Sequence, residues 1–281
     1  FNKRTGSFSV DDVIAWQSSP SALQNESEIS TYSDWYIRYR ASAGNREDRF
    51  NFIGASKLAE EKVEVADEVE PINLGNNLSL YFLTEGEDQQ TRLSRDFRSS
   101  KVEGNHWDMI ISNSTAEREV LLNWETSDLP PALQLVLVDI SNNRFLKLTG
   151  INAVAEYRFQ SHRENLFKVI AGDETFVRGS TEEIKSTLPQ QFNLSQNYPN
   201  PFNPTTYIDF ELPRASQIRL IVYNLLGQQI SVLASGFYQT GKYSAEWDGR
   251  DDFGNAAATG VYLFRLESEE YVRTVKGVLV K

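Results

Sequence analysis

Short runs of alternating apolar and polar residues, broken by turn-forming residues, fill most of this 281-residue chain. Alternation puts every second side chain on one face of an extended strand, so such runs half-bury as strands and fit helices poorly. The clearest in the first two thirds are 35–39, 78–83, 107–111, 120–124, 133–139, 145–148, 155–159 and 166–170. Ser141-Asn142-Asn143 tolerates left-handed backbone, so the runs on either side of it are expected to form a hairpin. A second series follows at 207–212, 218–223, 229–233, 241–247, 260–266 and 271–276, with Gly227 placed for positive φ in the turn after 218–223. Helical periodicity is scarce. The best candidate, 58–70, is acid-rich, is closed by Pro71 and repeats its apolar positions at two as much as at four. It is expected to be an exposed acidic loop holding one helical turn at most. Short strands between regular turn signals imply an all-β chain of sandwich type.

The chain divides in two. From Ala171-Gly172-Asp173 to Ser186-Thr187 the apolar pattern fades into Gly, Ser, Thr and Glu. The expected layout is a β-sandwich module over 1–175, a linker over 176–190 and a second sandwich over 191–281. The second module shows about seven strands, an immunoglobulin-like number. Trp247 is expected to fill its core.

Charge separates the halves as well. Residues 188–281 carry 8 basic and 9 acidic side chains, against 20 and 30 in the rest, so most of the net −11 lies on the first module. An acidic surface repels nucleic acid and anionic lipid, so neither is an expected partner. With no cysteine there can be no disulfide, thiolate metal site or cysteine nucleophile. The longest apolar run, around 133–140, is strand-sized and too short for a membrane-spanning helix. Phe1-Asn2-Lys3-Arg4 does not open like a secretory leader, so Phe1 is expected to begin a processed chain or a fragment of a longer one.

The densest motif is Asn197-Tyr198-Pro199-Asn200-Pro201-Phe202-Asn203-Pro204, with three prolines in six residues. Each proline fixes its own φ and biases the preceding residue toward extended geometry. The segment should therefore be a stiff arm that cannot pair as a central strand, pinned to the sandwich edge by Tyr198 and Phe202. The chain ends on Lys276-Gly277-Val278-Leu279-Val280-Lys281, a β-prone strand between lysines. As a free extended end it is suited to adding to the edge of another β-protein, and as a paired one it would be the last strand of the sandwich; the two roles can follow one another.

Together the Leu188-Pro189-Gln190-Gln191-Phe192 segment, the proline arm and the terminal strand resemble the type A C-terminal sorting domain of proteins exported by the type IX secretion system of the Bacteroidetes and their relatives. That domain is similar in fold to the immunoglobulin-like domain of the flagellar hook-capping protein. The first module resembles a β-sandwich often found ahead of such domains, through 51–54, 78–82, 96–98, Trp107-Asp108, Leu129-Pro130-Pro131, Asp139 and 157–159.

The resemblance implies transit through the periplasm to the outer cell surface or medium. It implies as partners the translocon, its outer-membrane shuttle barrel and a sorting peptidase that removes the domain. Tyr198–Pro204 and Lys276–Lys281 would be the secretion signal. Deleting 277–281 is then expected to leave a folded protein stranded in the periplasm. The expected function is that of a non-catalytic surface or adhesin-like protein. The alternatives are the accessory end of a secreted hydrolase and a carbohydrate-binding module.

Little in the chain points to catalysis. His106 and His162 have no metal-ligand spacing, and no Gly-x-Ser-x-Gly elbow or phosphate-cradling glycine loop occurs. No catalytic residue and no cofactor is expected. Asp248, Asp251 and Asp252 fall within five residues and form a weak Ca²⁺ candidate, although Arg250 sits among them and the distal glutamate of an EF-hand is missing. Such Asp-Gly loops also arise for backbone reasons alone. Aromatic residues gather at Trp16, Tyr32, Trp35, Tyr36 and Tyr39. On the 35–39 strand, Trp35, Ile37 and Tyr39 share one face and Tyr36 and Arg38 the other. Tyr36 with Arg38 is therefore a candidate platform for a glycan or a surface protein.

Overall fold

A computed structural model describes residues 29, 33–57, 59, 68–69, 78–85, 90–150 and 153–281. Trp16, Tyr32 and most of the acidic 58–70 segment lie outside the described residues.

The first module is one continuous eleven-stranded sheet, curled so that its two halves face each other as the layers of a sandwich. Its strands are β1 (Trp35–Ala43), β2 (Arg46–Ser56), β3 (Glu68–Val69), β4 (Leu78–Glu85), β5 (Gln90–Ser99) and β6 (Gly104–Asn113). They continue as β7 (Glu119–Ser127), β8 (Gln134–Asp139), β9 (Arg144–Lys147), β10 (Glu156–Gln160) and β11 (Glu164–Gly172). The order is β10-β7-β1-β2-β5-β4-β6-β11-β8-β9, with β3 on the side of β5. All pairings are antiparallel except β2 with β5. Strand β1 shows why the alternating pattern works: Trp35, Ile37, Tyr39, Ala41 and Ala43 are all buried, and the residues between them are half-buried.

Ring contacts show the curl. Phe159 of β10 lies 5.2 Å from Phe167 of β11, although six strands separate the two in the sheet order. Next to that contact the Tyr157 hydroxyl donates to the Asp139 carboxylate of β8 at 2.9 Å. Asp139 also accepts the backbone and side-chain N–H of Asn142, so it caps the β8–β9 turn and ties the sheet's two ends together. Burial pushes its pKa up, against those hydrogen bonds. Asn143 takes the expected positive φ, 53°.

The sequence-expected linker over 176–190 is mostly a helix, α1 (Glu174–Thr187). Asp173 caps it by accepting the Phe176 N–H at 2.8 Å. Val177, Phe176 and Ile184 pack on Val136, Val138 and Ile170 of β8 and β11. Phe176 lies over Gly104 and Gly172, which face each other across β6 and β11. A Cβ on either would come within 2.2 Å or 2.6 Å of its ring. Two glycines thus form the slot that docks the helix. No helix among the described residues is long and apolar enough to cross a membrane.

The second module is an immunoglobulin-like sandwich. One sheet runs β12 (Asn193–Leu194), β13 (Thr206–Leu212), β16 (Gly241–Trp247); the other runs β15 (Gln229–Tyr238), β14 (Ser216–Asn224), β17 (Gly260–Glu267), β18 (Val272–Leu279). Phe202, Phe210, Trp247, Phe264, Leu266 and Leu279 fill the space between them.

The modules meet through specific contacts. The Ser141 hydroxyl donates to Gln239 at 2.9 Å, Gln239 donates to the Glu164 carbonyl at 2.8 Å, and the Ala215 N–H donates to the Ser141 carbonyl at 2.7 Å. His162 packs on Phe237 with ring centroids 4.2 Å apart.

Both histidines of the chain therefore sit at joints, since His106 stacks on Phe176 of α1 at 5.0 Å and contacts the Ser180 hydroxyl. Burial, and then nearby cations, lowers the pKa of each: Lys168 and Arg98 at His106, Arg118 at His162. With a folded pKa below the ordinary 6.5, the unfolded chain binds more protons in that range. The stability tied to the neutral imidazoles is complete above that value and is lost as pH falls toward the lowered ones. Partly buried Asp48 and buried Asp139, shifted upward by desolvation, act in the opposite sense. The expected result is that His106→Gln/His162→Gln flattens the decline of melting temperature between about pH 7.5 and pH 5 relative to the parent. Identical pH profiles for the two proteins would remove the histidines from the account.

Candidate functional site

The proline arm and the terminal strand, separate in sequence, form one structure. The arm lies along the outer edge of β18. The Phe202 N–H donates to the Val278 carbonyl and the Val280 N–H to the Phe202 carbonyl, both at 2.9 Å. The Val278 N–H donates to the Asn200 side chain at 3.0 Å, and the Lys276 carbonyl accepts from Asn200 and Gln196. On its other side β18 pairs with β17 from Gly260↔Leu279 to Glu267↔Val272. The terminal strand is therefore the last strand of the sandwich, the second of the two roles its sequence allows, and not a free end. Both of its edges are hydrogen-bonded where 276–280 runs, and Leu279 is fully buried.

A buried amide fixes the root of the arm. Asn197 donates to the Thr206 hydroxyl at 2.9 Å and to the Pro199 carbonyl, and Thr206 donates to the same carbonyl. Gly277 is where this knot meets the strand. A Cβ there would fall 2.6 Å from the Phe264 ring and 3.0 Å from the Asn197 amide, so only glycine lets the strand pass so close. Tyr198-Pro199 and Asn200-Pro201 are cis.

The two aromatic residues of the arm part company. Phe202 is buried beside Trp247 and Phe264, at centroid distances of 5.6 and 6.4 Å. Tyr198 is 79% exposed and holds the arm only through its backbone pairing with Tyr207. Pro199, Asn200, Pro201, Asn203, Lys276 and Lys281 are exposed, Pro204 borders Gly249, and Val280 is partly exposed. At this end of the sandwich, away from the first module, the β14–β15 turn presents Leu225 and Leu226 to solvent, and the neighbouring aspartate loop presents Phe253. The register places them together, since Asn224 pairs with Tyr262, Tyr262 with Gly277, and the Asp252 N–H donates to the Ile230 carbonyl.

The aspartate loop uses its carboxylates on its own backbone. Asp248 accepts the Arg250 N–H, Asp251 those of Phe253 and Asn255, and Asp252 that of Val232. The Asn255 side chain and the Val232 N–H hold the Asp251 and Asp252 pKa values, respectively, below the usual carboxylate range. Arg250 returns a hydrogen bond to the Gly254 carbonyl, and its own carbonyl accepts the Trp247 indole N–H. Among the described residues no group of three or more His, Asp or Glu is arranged around a cation position.

Tyr36 and Arg38 lie on the outer face of the first sheet, but not as an open platform. Tyr36 packs edge-on against Phe52, and Arg38 donates to the Arg49 carbonyl and lies over the Phe50 and Phe52 rings. Phe52, Phe97 and Ile29 are buried in one cluster with Tyr36 packed against it, and Phe50 is exposed beside Arg38.

No curated protein matches the chain. Among solved structures, similarity is found to PorZ, a bacterial surface component of the type IX secretion system of Porphyromonas gingivalis (13% identity, 51% of this chain, 16% of that one, TM-score 0.25). A polysaccharide lyase is similar at 10% identity over 89% of this chain and 40% of its own, with a TM-score of 0.23. Dimeric latent PorU of Porphyromonas gingivalis is similar at 10% identity over 89% of this chain and 30% of its own, with a TM-score of 0.27. The chain thus spans well under half of each, and at these TM-scores the likenesses carry no argument. The family model described as the FlgD Ig-like domain matches residues 197–270, from the root of the proline arm to the hairpin before β18.

Proposed function

We propose that residues 191–281 are a type IX sorting domain that carries the first module to the cell surface or medium as a non-catalytic passenger. The observation that supports this reading is the proline arm laid along the terminal strand of an immunoglobulin-like domain, which joins the two most distinctive sequence elements of the chain. In this reading the exporter recognises a folded end rather than a loose tail. The features it meets are Tyr198, Asn203, the lysines at 276 and 281, and the apolar tip of Leu225, Leu226 and Phe253. The translocon, its shuttle barrel and a sorting peptidase are the proposed partners. The passenger then works by adhesion or binding. Its buried and partly buried carboxylates serve the fold: Asp48 accepts the Leu80 N–H, Asp96 pairs with Arg98, and Asp139 holds Tyr157.

A fluorescent protein fused ahead of residues 188–281, expressed in a bacterium equipped with a type IX system, tests the proposal. The reporter should reach the surface or medium. Retention in the periplasm of a soluble, folded fusion would sink the reading.

A further inference from the structure

Two adjoining clefts run along the junction of the modules. The larger, about 700 Å³, lies between the 160–163 segment and β7 approach of the first module and the 214–217 and 268–270 segments of the second. The smaller, about 280 Å³, continues it over β10. The two share Asn142 and Gln160, so together they form one elongated groove. Volumes in this range, at a domain junction, are typical of ligand sites.

Charge in the groove runs against the rest of the molecule. Five of its twenty lining residues are arginines, whereas Lys and Arg together number 28 of 281 in the whole chain. Only three are carboxylates, in a chain of net charge −11. Two of the arginines are already engaged: Arg214 with Glu270, and Arg158 with Glu119 and Glu156. Among the described residues Arg118 and Arg163 enter no ion pair. Both sit on loops tied to their neighbours, since the Arg118 carbonyl accepts the Ser161 N–H and the Arg163 carbonyl accepts the Asn113 N–H. His162, directly before Arg163, lines the same cleft and packs on the part-exposed Phe237 ring.

We infer that this groove binds an acidic oligosaccharide, with Arg118 and Arg163 taking sugar carboxylates. Guanidinium groups pair with carboxylates in planar, two-point fashion. The side-chain amides of Gln160 and Gln217 line the same walls and suit sugar hydroxyls. The Phe237 ring offers an apolar face of the kind sugar rings pack against. A densely charged polyanion fits less well, because the acidic field of the whole chain opposes it, whereas one carboxylate per sugar ring is a modest charge held locally.

The test is calorimetric titration of the full chain with trigalacturonate, with neutral maltotriose and a short duplex DNA as comparators. Trigalacturonate should bind at least about tenfold more tightly than maltotriose, and Arg118→Ala/Arg163→Ala should weaken it by about tenfold or more. Both arginines are exposed, so the variant should keep the parent's melting temperature, and rising salt should weaken binding in the parent. Absence of trigalacturonate binding, equal binding of maltotriose, an unaffected double variant or tighter binding of the DNA would each overturn the inference. None of these results bears on export.

Discussion

A chain ending at Lys276 should lose the fold of its C-terminal domain. The deletion of 277–281 considered from sequence was expected to leave a folded, stranded protein; the packing around it argues otherwise. Leu279 is fully buried with Phe202 and Phe264, and trimming such a leucine to alanine alone costs about 2–5 kcal/mol. The truncation also removes the partners of the arm, because Phe202 pairs with Val278 and Val280, and it exposes the outer edge of β17 near Gly260. Whole domains are stable by only about 5–15 kcal/mol, so the combined loss is of the size of the total. Differential scanning calorimetry should show the second module's transition weakened or gone, with that of the first module retained. An unchanged melting profile would mean that 277–281 is peripheral. The consequence for export is direct: failure of the truncated form to reach the surface would report unfolding, and recognition must be probed instead with the exposed Lys276, Lys281 and Tyr198.

How far the sequence reveals this molecule depends on whether the signal is local. Strands such as β1, β10 and β13 alternate cleanly because one face meets the core and the other meets solvent or the outer layer. The β14–β15 turn was legible for a local reason too: Gly227 takes φ of 77°, as its place after Asn224-Leu225-Leu226 implies. Strand β5 hides its pattern because Ser94 and Asp96 are buried polar residues, the second held by Arg98 and next to the Trp107 indole, which donates to its carbonyl. Helix α1 was harder still. Gly179 and a run of Ser and Thr lower its intrinsic propensity, and three large apolar residues in fourteen make a faint stripe. Its stability comes from the Gly104–Gly172 slot, which neighbouring sequence does not reveal; the Asp173 cap was the one local signal available. At the arm, prolines made the stiffness legible, but no rule of sequence separates Tyr198 from Phe202 as exposed and buried.

That separation yields the second large effect. Phe202→Ala should destabilise the C-terminal domain by about 3–5 kcal/mol, because the ring fills the space bounded by Trp247, Phe264 and Leu279. The loss should exceed that of a simple cavity if the arm lifts from β18, since the backbone of Phe202 carries two of its hydrogen bonds. Tyr198→Ala should stay within about 0.5 kcal/mol of the parent, as its side chain is 79% exposed and its backbone pairing with Tyr207 survives the change. Differential scanning calorimetry of the second module's transition would separate the two, and equal transition temperatures for Phe202→Ala and Tyr198→Ala would contradict the packing described for the arm. The same pair divides folding from recognition. An exporter that reads the arm should move Tyr198→Ala less efficiently at unchanged stability, whereas one that needs only a folded sandwich should distinguish Phe202→Ala alone.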